Sequence, residues 1–178
     1  DSKGRARIYR ELHESNLIAS EAAEKIKKMQ GNEHITTYLA PPDLIHQRRN
    51  DTGKTIADIF AEHGIYLTET SNNRISGWVC VKELLKEIVE RDEQTGDEIH
   101  TAMLTIDEGA APNLKLSLLN CQRNHNDPRD IEWKGAAHVL THAVDSLRAF
   151  AVFWIEPSGE ATEVRRAKWS PDMYEDYD

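Results

Sequence analysis

The sequence has few cysteines and no long apolar run. Its two cysteines, Cys80 and Cys121, lie far apart in a chain of 178 residues, which fits neither a disulfide framework nor a zinc knuckle. No stretch approaches the ~18 to 20 consecutive apolar residues of a membrane span, and the first residues lack the apolar region of a signal peptide. We therefore expect a soluble, intracellular domain in which both cysteines are packing thiols.

Basic charge is also scarce. The chain has 31 acidic and 22 basic residues and a formal net charge of −9, which argues against a protein that coats nucleic acid through a basic face. A nuclease is compatible with this charge, because carboxylates hold the metal ions of DNA-processing sites. The acidic excess in residues 87–98 and 174–178 predicts solvated surface and a disordered tail. The length predicts one domain over residues 1–156, followed by an arm and acidic tail over residues 157–178.

Apolar periodicity alternates between strand and helix along the chain, which predicts an α/β fold with a mixed sheet flanked by helices. The predicted strands are residues 5–12, 34–40, 65–70, 103–106 and 114–120, and the predicted helices are residues 21–29, 55–63, 77–89 and 136–153. Ser20 is the predicted N-cap of the first helix, which ends near Gly31. We expect a flexible acidic segment after residue 89 and a last strand or arm over residues 161–169.

A histidine and a carboxylate lie one helical turn apart near the end of the chain. His142 and Asp145 are three residues apart, so they are neighbours on the helix surface and form a possible pair of ligands for a divalent cation. The alternative is a solvated pair without a ligand. A second acid, Asp43, follows an apolar run that ends at two prolines, so it should lie beyond the C-terminal end of a strand, where α/β sheets usually place ligands.

Gly53-Lys54-Thr55 precedes the second helix, as the end of a phosphate-binding loop would. That loop requires a glycine five positions before Gly53, and this chain has Arg48 there. We therefore interpret the segment as a turn in which Gly53 supplies a permissive backbone and Thr55 caps the helix.

Four basic residues lie in this region and just beyond it: Arg48, Arg49, Lys54 and Arg74. Guanidinium groups match phosphate oxygens bidentately, so these residues are candidate contacts to a DNA backbone. An alternative of equal weight is that they balance the neighbouring acids Asp51, Asp58 and Glu62.

Five segments carry a resemblance to a known family: Ala40-Pro41-Pro42-Asp43-Leu44, Arg48-Arg49-Asn50-Asp51-Thr52-Gly53-Lys54, Ile56-Ala57-Asp58-Ile59-Phe60, Ser71-Asn72-Asn73-Arg74-Ile75-Ser76-Gly77-Trp78 and His142-Ala143-Val144-Asp145-Ser146-Leu147-Arg148. In order and spacing they resemble the C-terminal nuclease domain of the large terminase subunits of tailed bacteriophages. The resemblance implies a ribonuclease H-like fold and a metal-dependent endonuclease that cuts concatemeric double-stranded DNA with two divalent cations, Mg²⁺ or Mn²⁺.

The resemblance also implies roles and partners. Asp43 corresponds to the acid at the end of the central strand, Asp145 to the acid of the last helix, and His142 to the histidine that some members place one turn earlier. The expected partners are double-stranded DNA, the phage portal, the small terminase subunit and the N-terminal packaging ATPase domain. No membrane is expected, and the expected location is the host cytoplasm during virion assembly.

The chain departs from the family at its start. Family members begin this domain with a strand that bears the first metal-binding aspartate, followed by a second strand, and we expect this chain to begin just before the third. Residues 1–156 would then be an incomplete domain that binds metal weakly and cleaves little DNA alone. Two alternatives stay open: a non-catalytic module that binds DNA or the portal, and a ribonuclease H-like resolvase or repair nuclease.

Overall fold

The structure, a computed structural model, describes residues 3–49, 53–132 and 138–155. In this part of the chain, six helices and six short strands form a mixed α/β fold, which confirms the predicted class. The elements in chain order are β1 (Ala6–Ile8), α1 (Ala19–Gln30), β2 (Tyr38–Ala40), α2 (Pro42–His46), α3 (Ile56–Glu62), β3 (Leu67–Glu69), α4 (Arg74–Leu85), β4 (Glu87–Arg91), β5 (Glu98–Ala102), β6 (Leu104–Ile106), α5 (Pro112–Asn120) and α6 (His138–Ile155). The predicted arm and tail lie outside the described residues.

The strands of the described residues pair two by two. β1 pairs with β6 in parallel, with Ala6 opposite Leu104, and β2 pairs with β3 in parallel, with Tyr38 opposite Leu67. β4 and β5 form an antiparallel hairpin. The strands are shorter than the sequence predicted, and a single mixed sheet is not present among the described residues.

Two hydrophobic cores hold these elements together. The larger core packs α4 and α5 against α6 and buries Leu104 of β6 and Val144 of α6 almost completely. The smaller core packs α1 against α3 and is centred on Ile65, which is fully buried. None of the helices in the described ranges combines the length and apolar character that a membrane crossing requires.

The beginnings of two helices test the predicted caps. α3 begins as predicted, because the Thr55 hydroxyl accepts a hydrogen bond from the Asp58 amide at 3.0 Å and the Asp58 carboxylate accepts one from the Thr55 amide at 2.8 Å. The predicted Ser20 cap of α1 is wrong. The N-cap is Ile18, and the Glu21 carboxylate accepts a hydrogen bond from the Ile18 amide at 3.2 Å. The helix therefore starts one position before Ser20, at Ala19.

The predicted strand over residues 114–120 is wrong, because this segment is α5. Pro112 occupies the first turn of the helix, where its missing amide proton costs nothing. The carboxylate of Glu11 accepts hydrogen bonds from the Asn113 amide at 3.0 Å and the Leu114 amide at 2.8 Å. A distant carboxylate thus caps the helix, and the local sequence gave no sign of it.

The segment after α4 also differs from the prediction. The helix ends at Leu85 rather than at residue 89, and the expected flexible acidic segment is the hairpin of β4 and β5. The Asp92 carboxylate accepts hydrogen bonds from the Gln94 and Thr95 amides in the turn, at 2.8 and 3.0 Å. An Asx-type turn therefore orders a segment whose charge predicted flexibility.

Candidate functional site

Asp43 lies on α2, which begins directly after β2. Pro42 is the first residue of this helix, and its fixed backbone angle favours a helical start immediately after the strand. Asp43 is exposed in the first turn. At the other end of α2, the Nε2 atom of His46 lies 2.7 Å from a carboxylate oxygen of Glu69 at the end of β3. α2 is thus attached at the C-terminal edge of the β2 and β3 pair.

A buried threonine joins that edge to α6. The Thr70 amide donates to the Ala40 carbonyl at the end of β2, at 3.0 Å. The Thr70 hydroxyl donates to the Ala149 carbonyl, one helical turn after Asp145, at 2.9 Å. The strand that precedes Asp43 and the helix that bears Asp145 therefore meet through one residue, although the two acids are about a hundred residues apart in sequence.

Asp145 lies beside two arginines, and its side chain is 35% exposed. Its Oδ1 atom lies 3.0 Å from Nη2 of Arg148 and 3.8 Å from Nη1 of Arg74. This oxygen is buried and has no hydrogen-bond partner of suitable geometry in the described part of the chain. Burial lowers the pKa of the Arg148 guanidinium from its ordinary value, and Asp145 opposes that shift. Arg148 stays charged, since the ordinary arginine pKa lies far above neutrality.

Asp130 anchors one of these arginines. Its two carboxylate oxygens accept from Nε and Nη2 of Arg74, at 2.8 and 3.1 Å, and Oδ1 also accepts from Nε1 of Trp78 at 3.0 Å. Burial raises the pKa of Asp130, but the hydrogen bonds from Arg74 and from the Ile131 amide outweigh it, so the pKa lies below its ordinary value. Asp130 was not predicted as a site residue, because it has no informative spacing to another acid, and Trp78 was named only as the end of a resembling segment.

A glycine makes room for Arg148. A Cβ atom on Gly77 of α4 would lie 2.1 Å from Cγ and 2.6 Å from Cδ of Arg148. Arg148 is only 7% exposed, so its stem has little space to move. The close approach of α4 and α6 at this point therefore depends on the absence of a side chain at position 77. Both residues belong to the resembling segments, but their contact was not predicted.

His142 occupies a neighbouring but different side of α6. Residues three apart are offset by roughly 60° around a helix, and His142 shares its side with Ser146 and Phe150, which line a groove. His142 is exposed, and its carbonyl accepts a hydrogen bond from the Ser146 hydroxyl at 3.3 Å. Its role as a metal ligand stays a prediction.

The groove itself has a volume of about 870 Å³. It is lined by residues 6–16, Ile26, Met29, Gln30, Glu33, Ile35, Tyr38, Leu104, Ala111, Leu114 and five residues of α6, His142, Ala143, Ser146, Leu147 and Phe150. It therefore lies between the pair of strands that contains β1 and the pair that contains β2.

The predicted DNA-binding residues make contacts with other groups of the protein. Lys54 forms an ion pair with Glu62, one of the acids of the alternative interpretation, and Arg74 pairs with Asp130. The Arg48 side chain donates to the Gly53 carbonyl at 2.8 Å, and the Arg49 amide donates to the Lys54 carbonyl at 2.9 Å. Asp51 lies outside the described residues. Contact between the four basic residues and DNA stays a prediction.

The described residues contain no group of three or more histidine, cysteine, aspartate or glutamate side chains that could together hold a metal ion. Glu11, a further acid near the groove, is occupied as the cap of α5. The buried Oδ1 of Asp145 is an anionic oxygen, the kind of donor that Mg²⁺ and Mn²⁺ prefer, but in the described residues it is ion-paired with Arg148 and Arg74 rather than grouped with further ligands.

Comparisons with family models, with curated proteins and with solved structures gave no significant match.

Proposed function

We propose that the chain is a metal-dependent endonuclease domain of a phage DNA-packaging terminase, with a ribonuclease H-like fold. The observation that carries this proposal is the Thr70 bridge, which joins the end of β2 to α6. Asp43 follows β2 by three residues, and Asp145 precedes the bridged residue Ala149 by one helical turn. This arrangement supports a shared site for the two acids that the resemblance singles out.

Two strand edges beside the groove, unpaired among the described residues, support the ribonuclease H-like part of the proposal. Ala6 and Ile8 direct their main-chain groups to β6, through bonds to Met103 and Asp107 at 2.8 and 2.9 Å. In a parallel ladder the intervening residue, Arg7, directs its amide and carbonyl to the opposite edge. Leu39 does the same in β2. The groove between these edges is a suitable place for the two strands that the ribonuclease H-like sheet would add between β1 and β2.

A turn before β1 supports this sheet. Gly4 has a φ of +76°, a conformation that glycine adopts at little cost and that is common in the loops of β-hairpins. A strand that ends at this turn would run antiparallel to β1 along the edge to which Arg7 directs its main-chain groups. In the terminase family, the strands expected at this place include the one that bears the first metal-binding aspartate.

DNA cleavage would depend mainly on how the protein positions the metal ions and the scissile phosphate. Two divalent cations, when bound, activate a water molecule and stabilise the leaving 3′ oxygen of the scissile phosphate. Asp43 and Asp145 would supply anionic oxygen ligands, and His142 would act as a further ligand or carry a proton. Arg48, Arg49, Lys54 and Arg74 would contact phosphates without reading sequence. Portal, small subunit and packaging ATPase would then direct the cut.

Plasmid cleavage tests the function. A polypeptide that supplies the two expected strands in front of this chain should nick plasmid DNA with Mn²⁺ or Mg²⁺, and Asp43→Asn and Asp145→Asn should each abolish nicking. Asparagine keeps the shape but removes the charge that holds the cations. Asp97→Asn, an exposed carboxylate in the β4–β5 turn, is the matched control and should nick at the normal rate. Normal nicking by either site variant would disprove the assignment.

A non-catalytic DNA- or portal-binding module is the second candidate. The observation that favours it is the neutralisation of Asp145 by two arginines, since paired carboxylates bind cations less readily. The same assay separates the two functions. A binding module would retard DNA in a gel at low salt and leave the plasmid intact at every metal concentration.

A further inference from the structure

Arg148 is a buried cation at the place where α4 packs on α6. The residue is only 7% exposed, and its stem lies against Gly77 of α4. Burial lowers the pKa of its guanidinium, whereas the charge of Asp145 raises it. A buried guanidinium that keeps its proton needs a counter-charge, because an unpaired charge in a protein interior is very costly. Asp145 supplies that charge, since its Oδ1 atom lies 3.0 Å from Nη2 of Arg148.

Four charges of alternating sign meet at this point. Asp130, in the loop after α5, accepts hydrogen bonds from Nε and Nη2 of Arg74 at 2.8 and 3.1 Å. These bonds hold the planar guanidinium of Arg74 along one edge, so its third nitrogen, Nη1, has a fixed direction, 3.8 Å from Oδ1 of Asp145. Asp145 in turn contacts Arg148 on its own helix. The row of charges therefore connects the loop, α4 and α6, and its charges sum to zero.

The surroundings of Asp145 suit a guanidinium rather than a divalent cation. Two cationic groups lie beside Oδ1 and would repel a further positive charge. Among the residues that the structure describes, Asp145 belongs to no group of three or more histidine, cysteine, aspartate or glutamate side chains that could hold a metal ion. In this fold the charge of Asp145 is therefore compensated from within the protein.

We propose that Asp145 is a structural counter-ion, which makes the burial of Arg148 possible and so holds α6 against α4. This role goes beyond the proposed function and does not depend on it, because it concerns the fold of the chain when no cation is bound. It has a consequence for the cleavage assay. Loss of nicking in Asp145→Asn would follow from a weakened contact between α4 and α6 as well as from a lost metal ligand, so stability must be measured beside nicking.

The stability of Asp145→Asn in EDTA distinguishes the two roles. If Asp145 is a counter-ion, the substitution leaves Arg148 uncompensated, and the urea midpoint followed by circular dichroism should fall by about 1 M. If the carboxylate serves only to bind a metal ion, its charge contributes no stability in EDTA. Its neutralisation would then leave the midpoint unchanged or raise it.

Asp127→Asn is the matched control. The Asp127 side chain is 38% exposed, close to the 35% of Asp145, and it also pairs with a nearby arginine. Its partner Arg129 is 73% exposed, however, whereas the Arg148 side chain is 8% exposed. Asp127→Asn should lower the midpoint by less than about 0.3 M, because ion pairs at the surface contribute little. The difference between the two variants isolates the burial of the arginine.

Arg148→Met provides a second background. Methionine keeps an unbranched apolar stem beside Gly77 but carries no charge. In this background Asp145→Asn should lower the midpoint by about 0.3 M or less, because no buried charge is left uncompensated. The double variant should fold even where Asp145→Asn alone does not, since replacing both partners of a buried ion pair costs far less than removing one.

The outcomes decide the counter-ion role separately from the function. A loss of stability in Asp145→Asn that Arg148→Met reverses would support it. A midpoint of Asp145→Asn equal to or above that of the unaltered chain would overturn it, as would the same loss in both backgrounds or failure of both proteins to fold. None of these results depends on plasmid nicking, which tests the proposed function.

Discussion

Substitution of Gly77 by alanine isolates the contact that holds α4 and α6 together beneath Asp145. An added Cβ would lie 2.1 Å from Cγ of Arg148, far inside van der Waals contact, and the opposing atoms are the buried stem rather than a flexible end. Overpacking of this kind costs ~1 to 3 kcal/mol, and the severity of the overlap puts the cost near the upper limit. Alanine is favoured over glycine inside a helix by about 1 kcal/mol. The net destabilisation should therefore be about 2 kcal/mol.

Arg148→Ala provides the complementary background. Alanine ends at Cβ, which would lie 3.6 Å from the Cβ of Ala at position 77, an ordinary contact. In this background, Gly77→Ala should become neutral or stabilising by up to ~1 kcal/mol, as helix propensity alone predicts. The double-mutant cycle should thus give a coupling of about 2 to 3 kcal/mol between positions 77 and 148.

Urea denaturation followed by tryptophan fluorescence measures both effects. With a urea dependence of ~2 kcal/mol per M, Gly77→Ala should lower the midpoint by about 1 M in the native background. A higher midpoint for Gly77→Ala, or the same loss in both backgrounds, would contradict the steric argument.

Three further results are expected. Glu11→Ala should destabilise the chain by about 1 to 2 kcal/mol in the same urea assay, because it removes the cap of α5, and an unchanged midpoint would rule out the cap. The Asp130→Asn variant should be less stable than the unaltered chain at neutral pH, and the difference should shrink as the pH falls below ~4, because the stability that a depressed folded pKa contributes is complete above the unfolded pKa and is lost as the pH falls through the folded pKa. A constant difference from pH 7 to pH 2 would show that the charge of Asp130 is unimportant. The chain alone should bind DNA weakly and with steep salt dependence in fluorescence anisotropy, because its net charge is −9, and tight binding at 0.2 M salt would contradict this.

Local signals in the sequence predicted some elements well. α3 and its Thr55 cap were predicted because the turn at Gly53, the capping residue and the apolar periodicity are adjacent in sequence, and the structure adds Asp58 as the second partner of a capping box. The turn interpretation of Gly53 fits its φ of +66°, a conformation that favours glycine. α5 was mistaken for a strand because its cap, Glu11, comes from about a hundred residues earlier in the chain. Contacts between residues so far apart in the chain leave no periodic pattern in the sequence.

In the candidate site, too, local features were predicted and contacts between distant residues were not. The apolar run that ends at Pro41 predicted that Asp43 follows a strand, the apolar periodicity predicted that Asp145 lies on a long helix, and both statements describe the structure. The environment of Asp145 was not predicted. Arg74 and Gly77 of α4, and Asp130 of the loop after α5, approach it only because these elements pack on α6 in the tertiary fold. Sequence spacing within one helix identifies neighbours on that helix, whereas contacts between helices depend on the tertiary fold.

Paramagnetic broadening tests the shared metal site most directly, because it works even when the cation binds weakly. Mn²⁺ is titrated at substoichiometric amounts into the ¹⁵N-labelled chain, and the amide signals are followed by NMR. The account predicts that amides around Asp43 and around Asp145 broaden together at the lowest Mn²⁺ concentration, and that Asp145→Asn removes both effects. Broadening around only one of the two acids, or first in the acidic β4–β5 hairpin, would contradict a site shared by Asp43 and Asp145.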